Sequence, residues 1–179
     1  LSFSSRTRFG TLVLSHRSLG DISLPPDRMA TRLLLVGDLH IGRRPARLAP
    51  IAGGDDLSPR RALERLVDLA IGEQVDGVLF AGDLVDRVDD LFEAYQAIEQ
   101  AAARLVDAAI PVVCVSGNHD ARVLPRLVDR VDGVRLLGAG GRWEAARIAD
   151  VGVVGWSFPA EHHRGSPLDA PGLEDALAE

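Results

Sequence analysis

The segment VVCVSGNHD, residues 112–120, places an apolar, mostly β-branched run directly before a glycine and three polar side chains. The run has the composition of a buried strand, and Gly117 allows the chain to turn sharply at the end of that strand. Asn118, the only asparagine in the chain, is followed by His119 and Asp120. This pattern is typical of a strand that carries functional side chains to the edge of a sheet.

Two earlier segments end in the same manner. RLLLVG (residues 32–37) continues into DLH, and GVLFA (residues 77–81) continues into GDLVD. Each pattern predicts a buried strand followed by a glycine and an acidic loop. Because the carboxyl ends of parallel strands lie at one edge of a sheet, we expect the three loops to meet there.

Amphipathic segments separate the three strands. Ser58 and Pro59 suit the N-cap and first turn of one helix, a second helix is predicted over residues 89–109, and Pro111 ends it. Strands that alternate with amphipathic helices predict an α/β domain whose central strands are parallel and covered on both faces. Further on, the sequence predicts a short helix near residues 124–130 and strands at 134–137, 142–148 and 151–156.

Composition predicts one globular domain without an overall positive field. The chain has 179 residues, a formal net charge of −6 and no lysine. A negative charge does not exclude a phosphate-bearing substrate, since bound divalent cations supply positive charge locally. No apolar run approaches the roughly 20 residues that a membrane span needs. The single cysteine, Cys114, is expected to be a buried thiol, which fits a reducing compartment such as the cytoplasm.

Residues 1–28 differ from the rest of the chain. They are serine-rich, show no periodicity and end shortly after Pro-Pro, directly before the only methionine, Met29. We interpret residues 1–28 as a disordered or non-native extension and residues 29–179 as the domain.

The three predicted loops would bring carboxylate, amide and imidazole donors into one small volume. An oxygen and nitrogen ligand set without thiolate suits Mn²⁺, Fe²⁺ or Zn²⁺. Two such ions roughly 3.5–4 Å apart would clamp a phosphoryl group and activate water, and a residue of the middle loop could bridge them. The candidate residues are Asp38, His40, Asp83, Asn118 and His119.

Each residue taken alone has an ordinary alternative. In isolation Asp86 and Asp120 are more typical of turn or helix-cap residues, and His40 of a surface histidine. The coincidence of D-x-H, GDxxD and GNHD, each directly after a predicted strand, favours a metal site.

These motifs resemble those of the calcineurin-like metallophosphoesterase superfamily. The segments GDLHIGRRPARL, VDGVLFAGDLVDR and IPVVCVSGNHD are similar to its DNA-repair exonuclease branch, the SbcCD-type nuclease subunits. The resemblance covers about residues 32–169. It implies an α/β (α+β) sandwich of two β-sheets flanked by helices, a two-metal centre and hydrolysis of phosphodiester bonds in DNA.

The resemblance implies a role for each matching residue. Asp38 and His40 would bind the first metal ion, Asp83 would bridge both ions, and Asn118 would bind the second. The ions are expected to be Mn²⁺, with Fe²⁺, Zn²⁺ and Mg²⁺ as alternatives. The family analogy also implies a coiled-coil, SMC-like ATPase partner and a homodimer.

His119 would lie near the scissile phosphate as general acid or charge stabiliser, with Asp120 orienting its ring. Histidine suits this role because it can donate a proton to a leaving alkoxide near neutral pH. Asp86 stands where some nuclease relatives carry a histidine. The arginines that follow the D-x-H motif would contact the DNA backbone or form a solvated loop, and they are Arg43, Arg44 and Arg47.

The largest departure from the family pattern lies near the C-terminus. Family members supply three further histidines there, whereas His162 and His163 lack the required spacing and are expected to lie in a surface loop. The chain is therefore expected to be the N-terminal part of a longer enzyme, truncated at the C-terminus, with weak metal binding and little activity. Two alternatives stay open: an enzyme acting on small nucleotides or other phosphoesters, and a catalytically silent interaction module.

Overall fold

The computed structural model describes residues 11–15, 30–43, 58–87 and 91–179. Two sheets and a set of helices make up this part of the chain. The elements follow in the order β1 (Thr11–Ser15), β2 (Leu33–Val36), α1 (Pro59–Gly72), β3 (Gly77–Phe80), α2 (Leu91–Asp107), β4 (Val112–Cys114), α3 (Leu124–Val128), β5 (Val134–Leu136), β6 (Trp143–Ile148), β7 (Val151–Trp156), a 3-10 helix (Pro167–Asp169) and α4 (Leu173–Ala178).

The first sheet is parallel and has the strand order β2-β3-β4-β5. Its register aligns Val36 with Phe80, and Phe80 with Cys114, so the carboxyl ends of β2, β3 and β4 lie side by side. Every residue of β3 is buried. The prediction of an α/β domain with parallel strands covered on both faces is confirmed.

Helices α1, α2 and α3 cover one face of the parallel sheet. Ser58 caps α1 as predicted, since its Oγ accepts a hydrogen bond from the nitrogen of Arg61 at 3.2 Å, and Pro59 is the first helical residue. The prediction for α2 began at residue 89, and residues 88–90 lie outside the described part of the chain. The helices meet the sheet in one apolar cluster that includes Leu63, Val67, Phe80, Ile98, Ala102, Leu105, Cys114, Leu124 and Leu127.

A second, antiparallel sheet of order β1-β7-β6 packs on the other face of the parallel sheet. Leu79 and Val113 of the parallel sheet meet Ile148 and Val153 of the antiparallel sheet in a second apolar cluster. Helix α4 covers the outer face through Ala176, which packs with the buried tryptophans of β6 and β7. The predicted sandwich of two sheets flanked by helices is therefore present.

Strand β1 lies within residues 1–28, which we expected to be disordered or non-native. Residues 11–15 instead pair antiparallel with β7, from Thr11 opposite Trp156 to Ser15 opposite Gly152. The physical reason is that β6 covers only one edge of β7, and the main-chain groups of the other edge gain partners from β1. Residues 1–10 and 16–29 lie outside the described residues, so a start at Met29 stays a prediction.

Cys114 is fully buried in β4, as expected, and burial raises the pKa of its thiol far above the ordinary value. Across the part of the chain that the structure describes, no helix combines the length and the apolar character that crossing a membrane requires.

Candidate metal centre

The loops after β2 and β3 stay paired beyond the ends of their strands. The nitrogen of His40 donates to the main-chain oxygen of Asp83 at 2.9 Å, and the nitrogen of Asp86 donates to the oxygen of Ile41 at 3.1 Å. Ile41 and Val85 also form a parallel bridge. The two loops therefore hold their side chains in a fixed relative position.

Three residues of these loops have left-handed backbone conformations. Asp38, His40 and Asp83 have φ angles of 59°, 49° and 51°. For residues other than glycine this conformation costs roughly 1–2 kcal/mol, and such strain concentrates at functional sites. These strained conformations occur at three positions where the motifs place side chains of the types that bind metal ions.

The loop after β4 packs directly against Asp83. A Cβ atom at position 117 would lie 2.6 Å from Cγ and 2.7 Å from the main-chain nitrogen of Asp83, which only glycine avoids. The nitrogen of His119 donates to Oδ1 of Asp83 at 3.0 Å. Gly117 and His119 thus hold the third loop against Asp83, to which the first loop is already joined through the nitrogen of His40.

The environment of Asp83 favours a bound cation. Asp83 is 1% exposed, and this burial raises the pKa of its carboxyl. The hydrogen bond from the main-chain nitrogen of His119 and the charges of His119 and His40 act in the opposite direction and lower that pKa. A buried carboxylate without a cation is costly, and a divalent ion removes that cost.

Asp38, His40 and Asp83 form a group whose donor atoms all lie within 4.8 Å of one another. Nε2 of His40 lies 3.3 Å from Oδ1 of Asp38. Donors that share an ion at about 2.0–2.2 Å have separations of this order, so the three residues fit a divalent cation. The side chain of Asp38 is 49% exposed, so an ion can reach this group of residues from the solvent.

The other ring nitrogen of His40 faces Asp86. Nδ1 lies 3.0 Å from Oδ1 of Asp86, within ion-pair distance. The pair is not aligned as a hydrogen bond, and this buried nitrogen has no hydrogen-bond partner in the described part of the chain. A carboxylate behind a metal-binding imidazole orients the ring and raises its basicity, and Asp86 is placed for that role. Sequence reasoning treated Asp86 as a turn residue, although its place in GDxxD was the available signal.

His119 lies beside this pair, with its side chain 47% exposed. Its Nδ1 is 3.3 Å from the main-chain oxygen of Asp86 and 4.0 Å from Oδ1 of the same residue. The ring stands perpendicular to that of His40, with centroids 4.9 Å apart. Asp86, His40 and His119 accordingly form a second group of donor atoms within 4.8 Å.

The predicted role of Asp120 in orienting the His119 ring stays a prediction, and the structure gives its carboxylate other partners. Its carboxylate accepts hydrogen bonds from the nitrogen of Leu84 at 2.7 Å and of Gly117 at 2.7 Å, and it is fully buried. Burial raises the pKa of this carboxyl to about 6, against the effect of these main-chain donors. Asp120 therefore joins the second and third loops, and Asp86 is the acidic residue that faces the His119 ring.

Asn118 is half-buried between Gly117 and His119, both of which contact the carboxylate of Asp83. This position agrees with the metal-binding role that the motif implies, which stays a prediction.

The remaining candidates are more peripheral. Arg43 is exposed and its nitrogen donates to the oxygen of His40 at 3.0 Å, whereas Arg44 and Arg47 lie outside the described residues. His162 and His163 are exposed, and the ring of His163 packs 5.2 Å from that of Trp156.

A buried hydroxyl connects the third loop to the second sheet. The Oγ of Ser157, at the end of β7, donates to the oxygen of Leu137 at 2.6 Å and accepts from the nitrogen of Ser116 at 3.0 Å. Phe158 continues the connection, since its nitrogen donates to the oxygen of Ser116 at 3.1 Å. Ser116 is two residues before Asn118, so this connection helps to hold the loop in place.

Replacing Ser157 with alanine is expected to lower the free energy of unfolding by about 1–3 kcal/mol, because two buried main-chain groups lose their partner. Urea denaturation measures this change. In the matched control, Ser166→Ala removes an exposed hydroxyl that accepts from Leu168, and the expected loss is below about 1 kcal/mol. Equal losses in the two variants would contradict the buried connection.

Comparison with known proteins agrees with this geometry. Residues 31–175 match the family described as calcineurin-like phosphoesterase. The DNA double-strand break repair protein Mre11 of Aeropyrum pernix is 40% identical over 90 residues, which cover 50% of this chain and 21% of that protein. Mre11 of Sulfurisphaera tokodaii is 32% identical over 90 residues, covering 50% and 22%. One of the subunits of the SbcCD nuclease of Rhodobacter capsulatus is 32% identical over 151 residues, covering 81% and 36%.

The matched part of the chain thus spans about a fifth of the length of the two Mre11 proteins and about a third of the length of the nuclease subunit. The family match covers most of the chain and includes all three motif loops. Together with the two-sheet sandwich and the convergent donors, it shows that the chain belongs to the calcineurin-like phosphoesterase family.

Proposed function

We propose that this protein hydrolyses phosphodiester bonds in DNA with two divalent metal ions, in the manner of a repair exonuclease. The observation that carries the proposal is the convergence of Asp38, His40 and Asp83 within 4.8 Å at the carboxyl edge of the parallel sheet. The names of the relatives, DNA double-strand break repair proteins and a nuclease component, support DNA as the substrate.

The proposed metal ligands are Asp38 and His40 for one ion, Asn118 for the other and Asp83 between them. Bound divalent ions supply positive charge to the phosphoryl group and lower the pKa of the attacking water. Mn²⁺ is the proposed ion, because the donors are oxygen and imidazole nitrogen without thiolate. Asp86 keeps the His40 ring in place from the opposite side.

His119 is the proposed general acid. The main-chain oxygen of Asp86 can only accept a hydrogen bond, so the contact at 3.3 Å favours a proton on Nδ1 of His119. Nε2 of the protonated ring can then donate its proton to the leaving oxygen as the phosphorus–oxygen bond breaks and water attacks the phosphorus. The side chain is 47% exposed, which supports the approach of a substrate to the ring.

The exposure of the site favours a large substrate over a small one. Asp38 and His119 both have side chains that are about half exposed, whereas Asp83 is buried. A site open in this way accepts the backbone of a polymer. Arg43 is proposed as an additional phosphate contact, because it is exposed and follows His40 by three residues.

The partner is proposed from the relatives. The Rhodobacter capsulatus protein is named as one of the subunits of a nuclease. We propose that the present protein likewise functions with another protein, a coiled-coil, SMC-like ATPase, and that it forms a homodimer.

The test compares three substrates in the presence of Mn²⁺: linear duplex DNA, bis(p-nitrophenyl) phosphate and p-nitrophenyl phosphate. Hydrolysis of DNA and the diester, abolished by EDTA, is the expected result, with slow turnover because the chain offers four proposed ligands. Hydrolysis of the monoester alone would indicate a phosphatase. If Mn²⁺ produces neither hydrolysis nor a rise in Tm, the proposed metal-dependent activity of this chain is refuted.

A further inference from the structure

Three exposed arginines follow the GNHD loop at intervals of four residues. Arg122, Arg126 and Arg130, here called the arginine row, begin three residues after His119. We propose that the arginine row binds the phosphate backbone of nucleic acid and aligns it with the metal centre. The choice of DNA as that nucleic acid rests on the proposed function.

The backbone of this segment is helical around α3, with Arg126 in α3 and Arg122 and Arg130 in the turns on either side of it. Val123 and Asp129, on either side of α3, also have right-handed helical dihedral angles. Residues four apart in a helix share a face, and eight residues span about 12 Å. The opposite face is fixed in the core, because Val123, Leu124 and Leu127 are at most 2% exposed. The arginines are therefore held outward.

The same segment is anchored to the candidate metal centre. The main-chain oxygen of Asp120 accepts from the nitrogens of Val123 and Leu124 at 3.0 and 2.8 Å, which starts the helical turn. The carboxylate of Asp120 is held by the second and third loops. Three residues of chain allow Arg122 at most about 11 Å between its Cα and that of His119. The arginine row consequently starts next to the proposed general acid.

The absence of acidic partners among the described residues distinguishes these arginines from those on α1 and α2 that form ion pairs. Within the described ranges, no acidic side chain lies at ion-pair distance from any of the three. By contrast, Arg60 and Arg61 pair with Glu64, and Arg104 pairs with Asp68 at 2.6 Å. In a chain with a net charge of −6, these three guanidinium groups have no ion-pair partner among the described residues and are available to an anionic ligand.

A phosphodiester backbone is the ligand that matches this arrangement. Guanidinium groups bind phosphate oxygens with charge-assisted hydrogen bonds, and contacts of this kind position a nucleic acid without reading its sequence. Each phosphate neutralised changes the slope of log K against log salt by about 0.9, so three contacts contribute about 2.7. A surface without such contacts would contribute nothing.

The experiment measures binding of a fluorescent duplex of mixed sequence by anisotropy, in EDTA and over a range of salt concentrations. The variant Arg122→Gln/Arg126→Gln/Arg130→Gln is expected to lower the salt slope by about 2.7 and each single substitution by about 0.9. The matched control, Arg60→Gln/Arg61→Gln/Arg104→Gln, removes equal charge from arginines that are already paired, and its slope is expected to equal that of the wild type. Circular dichroism establishes that both variants are folded; an unfolded row variant is replaced by the three single substitutions.

The outcomes separate this inference from the proposed function. The inference is refuted if the salt slope of the row variant equals that of the wild type or that of the control triple variant. This holds even if the wild type hydrolyses the small diester. Loss of DNA binding in the row variant alone, with a wild type that hydrolyses no diester, would support the row and refute the proposed phosphodiesterase. A change in the salt slope of the row variant that occurs with a duplex of one sequence and not with others would also contradict a contact with the backbone.

Discussion

Asp83→Asn is expected to abolish Mn²⁺-dependent hydrolysis, with a fall in kcat/KM of roughly 10³-fold or more. Asparagine keeps the shape of the side chain but removes the negative charge that the proposed ions share. Because burial raises the pKa of Asp83, the metal-free protein is not expected to lose stability when this charge is removed. The effect should therefore be confined to metal binding and catalysis.

Thermal unfolding with and without Mn²⁺ measures the binding part of this prediction. At a metal concentration of about 100 times Kd, the wild type should gain about 2.7 kcal/mol and Asp83→Asn should gain none. The control is Asp68→Asn, which changes an exposed carboxylate that pairs with Arg104. A variant Asp83→Asn that retains both the metal-induced rise in Tm and the hydrolysis would contradict the metal centre.

Gly117→Ala has the second largest expected effect, because the added methyl group would overlap Asp83. The nearest atoms include the main-chain nitrogen of Asp83 at 2.7 Å, which cannot move without disturbing the loop after β3. Forcing a methyl group into such a site costs about 1–3 kcal/mol. Displacement of Asp83 should also remove the metal-induced rise in Tm.

The matched control for this substitution is Gly72→Ala. Gly72 is the last residue of α1, and a Cβ atom there would have no neighbour within 4 Å. Alanine at this position should leave the protein as stable as the wild type or stabilise it by up to about 1 kcal/mol. If urea denaturation and metal titration show the same result for both glycines, the packing of the third loop against Asp83 is not required.

Much of the fold could be predicted from the order of local patterns. The runs that became β2, β3 and β4 are apolar and end in glycine, and Ser58 with Pro59 marked the start of α1. Each of these patterns acts within a few residues. Strand β1 could not be predicted in this way, because TLVLS is stabilised by pairing with β7, more than 130 residues further along the chain.

The candidate site could likewise be predicted only in part from local patterns. Glycine followed by an acidic or imidazole side chain after each strand predicted which residues meet, since parallel strands deliver their ends to one edge. The patterns did not predict which carboxylate would face which histidine. Asp120 is adjacent to His119 in sequence, but its oxygens are occupied by the nitrogens of Leu84 and Gly117.

The sequence by itself determined the parallel strands, the chemical types of the donors and the loops that carry them, because these follow from local periodicity and from the geometry of a parallel sheet. Only the tertiary structure decided that Asp86 lies against His40 and His119, that Asp120 joins two loops and that β1 completes the second sheet. The reason is that a hydrogen bond forms between atoms that meet in space. The partner of a side chain can therefore be a residue tens of positions away instead of its neighbour along the chain, because packing decides which atoms lie close together.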